Sequence, residues 1–195
     1  MGTELAKQRR EQILAAASKC FLSKGFHATG MGDIAREFGM SAGHIYNYFP
    51  GKMAIIEQVL LRGTEQFYAD TCQIQEIGAD YDKLLAHLRN LIINKFSLGR
   101  ARLSLELLLE GSRDPAMRKL LEELDVKARQ HLLQLRFQNA QSPENLARIE
   151  ISMATFEGLQ LRMLRTPDLD LDAVCRVFAD HICRVHNGEE RRIFA

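Results

Sequence analysis

The chain has 195 residues, 26 Lys and Arg against 25 Asp and Glu, a net charge of +1 and a hydrophobic fraction of 46%. That is the length of one domain or of a small module fused to a larger one, and 4 Pro with 13 Gly exclude a low-complexity chain. No apolar run approaches the ~20 residues of a membrane helix, and no apolar segment follows Lys7, Arg9 and Arg10 as a secretory signal requires, so a cytoplasmic protein with no membrane partner is expected.

Helical periodicity runs through the whole sequence with no alternating strand, which predicts an all-α fold. The first helix is expected over 7–24, with Ile13, Ala17 and Phe21 on one stripe and Gly25 as its stop. Two short helices follow at 31–38 and 42–48, separated by the turn Gly39-Met40-Ser41. Ile34, Ala35, Met40, Ile45 and Phe49 supply the apolar contacts between them, and Gly39 reverses the chain at low cost in the left-handed conformation. A long helix is expected over 52–76, and Asp80 caps another running to about 98. Segments 101–111, 115–140, 143–165 and 170–187 complete the row. Two of them open with an N-cap followed by proline, Asp114-Pro115 and Ser142-Pro143.

Charge is informative locally. Residues 1–52 hold seven Lys and Arg against four Asp and Glu, a net +3, and the remainder holds nineteen against twenty-one, a net −2. A basic head on a slightly acidic body suits an anionic partner for the head. The second short helix of that head exposes Ala42, Gly43, His44, Tyr46, Asn47 and Tyr48, a polar and aromatic face with little formal charge. Such a face fits a DNA groove, where His and Asn bond base edges or phosphates and tyrosine hydroxyls bond phosphates. Lys52 stands at the next helix N-terminus, where ammonium and backbone N–H groups hold a phosphate together. A plain helical hairpin with Tyr48 packed inward is the competing reading. Two motif matches here are decoys. Gly39 to Gly43 fits G-x-S-x-G and Gly30 to Ala35 fits G-x-G-x-x-A, but both motifs need a preceding strand that this helical segment lacks.

In the body, Leu146, Ile149, Met153 and Phe156 form one stripe of the 143–165 helix. Ala147, Ile151, Ala154, Gly158 and Leu161 form a second, and Val174, Phe178, Ile182 and Val185 form a stripe on the last helix. Helices apolar on two faces suit a subunit interface as well as a core, and Ala154, Gly158, Leu161, Val174, Phe178 and Ile182 are the expected interface residues. His87, Asn94, Glu106, Glu110, Glu157 and Gln160 are polar groups on otherwise apolar helices, hence candidates for holding a small molecule. Carboxylates in an apolar cavity would favour a cationic ligand. Glu106 lies four residues after Arg102 and Glu110 three before Arg113, so internal ion pairs, and a neutral pocket, are the alternative. Cys20, Cys72, Cys175 and Cys183 are scattered without a C-x-x-C pair, so neither disulfide, metal nor cofactor is expected. No nucleophile–base spacing supports an enzyme, although an all-helical one using Glu106 and His87 is conceivable.

The frame Phe26, Thr29, Asp33-Ile34-Ala35, Gly39, Ser41, Gly43, Ile45-Tyr46, Tyr48-Phe49 and Lys52 resembles the N-terminal domain of the tetracycline-repressor (TetR) family of bacterial regulators. The resemblance covers about the first 55 residues; the rest matches in layout only. It implies a three-helix helix-turn-helix DNA-binding domain at 1–52 and a helical ligand-binding and dimerisation domain at 53–195. It further implies a homodimer, a palindromic double-stranded DNA operator, and release by a small-molecule effector. Ala42 to Tyr48 would be the recognition helix, with Thr29, Ser41, His44, Tyr46, Tyr48 and Lys52 as DNA contacts. Gly32 and Ala42 stand where many members carry longer polar side chains, which shifts the readout toward His44, Asn47 and DNA shape. A regulator that needs no effector, or needs a corepressor, is the alternative.

Overall fold

The computed structural model describes residues 2–95, 97–137, 141–166 and 168–186, with side chains described at 4–92, 97–137, 141–166, 168–180 and 183. Among these residues the chain forms nine α-helices and no strand. They are α1 (Gly2–Lys24), α2 (Met31–Phe38), α3 (Ala42–Tyr46), α4 (Lys52–Ile77), α5 (Tyr81–Lys95), α6 (Leu98–Gly111), α7 (Pro115–Phe137), α8 (Pro143–Arg165) and α9 (Leu171–His186). Residues 138–140, which the periodicity assigned to α7, lie outside the described residues. Helix α1 starts five residues earlier than the expected residue 7, because its first turns are solvated and leave no periodic signal; Leu5 there is 57% exposed. Helix α3 ends at Tyr46 rather than at 48, two residues short of the expected stop.

Side-chain oxygens start several helices as their sequence suggests. Ser41 Oγ accepts the His44 N–H at 3.3 Å, Ser142 Oγ accepts that of Asn145 at 3.2 Å, and Asp80 Oδ1 accepts that of Lys83 at 3.2 Å. Asp170 Oδ1 accepts the Ala173 N–H at 2.8 Å and opens α9. Each such cap is worth about 0.5–2 kcal/mol. At the other ends, Gly25 and Gly39 take φ of +89° and +78°, which stop α1 and α2 where a side chain would be strained.

The chain divides by packing into two compact units, Met1–Gln66 with Arg102–Lys127 and Phe67–Ala101 with Ala128–Ala195. The first has one core: Ile13, Ala17 and Phe21 of α1, Phe26 of the following turn, Ile34 and Ala35 of α2, Ile45 of α3, Phe49, and Ile55 and Ile56 of α4. Leu103 and Leu107 of α6 and Met117 of α7 complete that core. The packed unit is therefore larger than the 1–52 segment that the motif marks out, because α6 and the start of α7 bury apolar surface on the three-helix head.

In the second unit α5 lies along α9, with Leu84, Leu88 and Ala179 buried in one cluster and Ile92 and Cys175 in another. Asp172 receives Arg89 at 2.7 and 2.9 Å and Arg176 at 2.7 Å. His131 of α7 stacks on Tyr68 of α4 at 4.2 Å, with Thr71 Oγ1 2.8 Å from its Nε2. Burial holds the His131 and His87 imidazoles below the ordinary value of 6.5. An unfolded chain then binds more protons than the folded one below that pH. Stability contributed by these histidines is full above about 6.5 and falls as the pH drops toward their lowered values. The melting temperature should therefore decline from pH 7.5 to pH 5. Asp33, held at about 2 against an ordinary 3.8, acts only at lower pH. In scanning calorimetry His131→Gln should decline less steeply than wild type; an unaltered slope would remove His131 from the account.

Candidate nucleic-acid interface

The site is built by α2, α3 and the turns around them. The Asp33 carboxylate organises the start of α2. It takes the Lys24 ammonium at 2.6 Å, the Gly30 N–H at 3.0 Å and Arg36 at 3.3 Å. Those bonds, the Lys24 one first, hold its carboxyl down to about 2. At the far end, the Gly39 and Met40 N–H groups close α2 on the carbonyls of Arg36 and Ala35 at 3.2 and 2.9 Å. Ser41 then caps α3 directly, so only three residues separate the two helices.

Ile45 and Phe49 face inward at 0% and 1% exposure and anchor α3 in the core. Its outer face presents Ser41, Gly43, Tyr46 and Asn47, with Tyr46 53% exposed. His44 is half-buried, its ring 5.5 Å from that of Tyr48. Ala42 and Tyr48 pack partly against the core, which gives Tyr48 both an inward body and an outer edge. Nothing lies within 4 Å of where a Cβ would stand on Gly32 or Gly43, as on an open surface.

Arg10 holds this helix from behind, a role that spacing and motif did not indicate. Its guanidinium lies 4.2 Å from the centre of the Phe49 ring and donates to the Tyr48 carbonyl. The signal was present, since Arg10 is three residues before Ile13 on the buried stripe of α1.

Two expected DNA contacts have other partners. Thr29 is 1% exposed and its hydroxyl donates to the Gly25 carbonyl at 2.6 Å. Its side chain closes the α1–α2 turn inside the core. Lys52 donates to the carbonyls of Phe26 at 2.9 Å and His27 at 3.5 Å, its ammonium 4.4 Å from the Phe26 ring centre. It ties the start of α4 to that same turn.

The expected small-molecule residues divide between the two units. Glu106 belongs to the first unit, where its carboxylate accepts the His27 N–H at 3.3 Å and lies 4.0 Å from Arg102 Nε. Glu110 is in the same unit; its carbonyl ends α6 on the N–H groups of Arg113 and Asp114 at 2.9 and 2.7 Å. Glu157 belongs to the second unit and is exposed on α8. Gln160 is half-buried on α8. His87 of α5 carries a buried Nε2 with no hydrogen-bond partner among the described residues. The side chain of Asn94 lies outside the described residues. A surface cleft of about 370 Å³ between α1 and α2 is lined by Lys19, Lys24, Arg36, Asp33 and Glu37. Its own ion pairs, Lys19–Glu37 at 3.4 Å and Lys24–Asp33 at 2.6 Å, already engage both of its carboxylates.

Of the expected interface residues, Ala154 is exposed and Gly158 and Leu161 are half-buried, while Val174 and Phe178 pack against the core of their own unit. The side chain of Ile182 lies outside the described residues. Sequence reasoning missed Val177, which is 68% exposed on α9; Ile151 on α8 is 60% exposed.

A Ser-capped short helix, seated by two buried residues on its neighbours and turned outward with a polar and aromatic face, defines a helix-turn-helix domain of the DNA-binding class. Residues 13–59 match the family described as bacterial regulatory proteins, tetR family. The HTH-type transcriptional regulator UidR of Escherichia coli (strain K12) is 30% identical over 122 residues, 63% of this chain and 61% of that one. The matched part is thus less than two thirds of the relative's length. A solved structure from Mesorhizobium loti, described as a TetR-family transcriptional regulator, superposes with a TM-score of 0.70 at 16% identity, covering 94% of this chain and 97% of that one. A transcriptional regulator from Saccharomonospora viridis, in complex with choline, has a TM-score of 0.66 at 20% identity, covering 93% and 97%. Residues 13–59 thus match the DNA-binding domain of the TetR family, and the chain as a whole shares the fold of solved TetR-family regulators.

Proposed function

We propose that the protein is a homodimeric repressor, a regulator rather than an enzyme, that binds a palindromic operator and is released by a small-molecule effector. The observation that carries this reading is α3. Its inner residues Ile45 and Phe49 are locked in the core while Ser41, Gly43, Tyr46 and Asn47 face outward beside His44. Two such helices, related by a two-fold axis, would enter successive major grooves about 34–36 Å apart. His44 and Asn47 would bond base edges, and Ser41, Tyr46 and Tyr48 phosphates. Lys52 would add its charge to the backbone N–H groups at the start of α4.

Dimerisation through α8 and α9 is supported by the large apolar side chains they leave exposed, Ile151 and Val177, next to small Ala154 and Gly158. An effector would bind the helical body and favour a state whose two heads no longer match the half-sites. The unpartnered His87 nitrogen is the polar group best suited to meet it, and choline on the Saccharomonospora viridis relative supports small-molecule binding by this fold.

His44→Ala tests the reading. It should weaken binding to an operator selected from a random DNA pool by about 1–3 kcal/mol, and leave binding to unrelated DNA nearly unchanged. In a mobility-shift titration, equal affinity of both proteins for the selected operator would show that His44 does not read bases. Selection of no sequence by the wild-type protein would overturn the repressor reading itself.

A further inference from the structure

We propose that Arg102 and Glu106 of α6 form a two-pronged latch on the α1–α2 turn and act as positioning residues for the DNA-binding head. The inference rests on the DNA-binding reading above and assigns its regulation to a specific contact. Arg102 donates to the carbonyls of Leu22 and Ser23 at 3.0 and 2.6 Å. These belong to the last turn of α1, whose carbonyls have no partner within the helix. One turn further along α6, the Glu106 carboxylate enters the turn itself and accepts the His27 N–H at 3.3 Å. Its oxygens fill the space that a side chain on Gly25 would occupy.

The turn so gripped is also bonded from elsewhere. Thr29 Oγ1 donates to the Gly25 carbonyl at 2.6 Å, and Lys52 of α4 donates to the carbonyl of Phe26 at 2.9 Å. Five residues, Gly25 to Thr29, thus receive side chains from α4 and α6 and lead directly into α2. Leu103 and Leu107, on the same helix as the two prongs, are buried in the core that seats α3. A shift of α6 along its axis would move both prongs and both leucines together. Arg102 spans two carbonyls at the end of α1 and Glu106 holds one N–H inside the turn, so the latch is released only when both prongs let go. That makes α6 a part of the head able to register a change of state elsewhere in the chain. The Arg102 and Glu106 side chains are 47% and 27% exposed, so the latch opens to solvent without dismantling the core.

The test uses the full chain with Arg102→Ala, Glu106→Ala, their combination, and Glu106→Gln, whose amide oxygen still accepts from His27 but carries no charge toward Arg102. Amide hydrogen exchange would be followed over residues 25–29, together with affinity for the selected operator and for random DNA. The double variant is expected to exchange about tenfold faster in the turn and to bind operator about tenfold more weakly. Its affinity for random DNA should stay within about twofold, because no phosphate contact is removed. Glu106→Gln should fall between the double variant and wild type. Unchanged exchange in the double variant would overturn the latch. Parallel loss of operator and random binding, in step with a lowered melting temperature, would reduce the pair to a stabilising role and overturn it too. Failure of the wild-type chain to select any sequence would overturn the DNA-binding reading instead, while the exchange data still judge the latch.

Discussion

Gly25→Ala should destabilise the protein by roughly 2.5–5 kcal/mol, against roughly 1–2 kcal/mol for Gly39→Ala, the left-handed penalty alone. Both glycines hold positive φ, so both variants bear that first penalty. They differ in what a new Cβ meets. At Gly39 it meets nothing within 4 Å, whereas at Gly25 it collides with the Glu106 carboxylate. Glu106 must then leave, and the His27 N–H loses a hydrogen bond to a charged group, worth about 1.5–3 kcal/mol. Thermal unfolding should show the Gly25 variant lower by roughly 5–20 °C at this chain length. A double-mutant cycle separates the two causes. Gly25→Ala placed on Glu106→Ala should add less than it does alone, because the collision is already gone. Equal losses at Gly25 and Gly39 would show that the carboxylate yields freely and that only backbone strain matters.

Arginine at Ile151, Val177 or Gly158 should convert the protein to monomers without unfolding it. Ile151 and Val177 are 60% and 68% exposed, and no atom lies within 4 Å of a Cβ on Gly158. A long charged side chain is therefore accommodated by the protomer, and surface changes of this kind stay within about 0.5 kcal/mol. In the proposed interface the same charge would be buried without a partner, at about 3–5 kcal/mol. That corresponds to a dimer dissociation constant raised by roughly 10²–10⁴. Operator affinity should fall with it, since one head cannot use two half-sites. Sedimentation velocity with circular dichroism would check both halves. Wild-type dimers in all three variants would place the interface on another surface, and loss of helicity would show that these positions serve the protomer's own fold.

What the sequence determined by itself is local. The stop at Gly39, the Ser41 cap and the inward Ile34, Ala35, Ile45 and Phe49 all follow from interactions spanning one helical turn, and these residue types fill such roles for steric reasons. The exposed face of α3 follows in turn, because burying Ile45 and Phe49 leaves Ser41, Gly43, Tyr46 and Asn47 no other direction. The caps at Asp80 and Ser142 were legible for the same reason. Long-range partners were not. Glu106 reaches His27 across 79 residues and Arg102 reaches Leu22 across 80. In sequence both look like one ordinary i,i+4 pair on the surface of α6, and only the packing of that helix on the head turns them toward a backbone turn. Thr29 and Lys52 carry motif positions that point to DNA, yet the fold engages their polar atoms with the carbonyls of Gly25, Phe26 and His27. A hydroxyl or ammonium bonds the acceptor that the tertiary structure brings within reach. Sequence shows which groups are able to donate, while the acceptor depends on elements that meet only when the core closes.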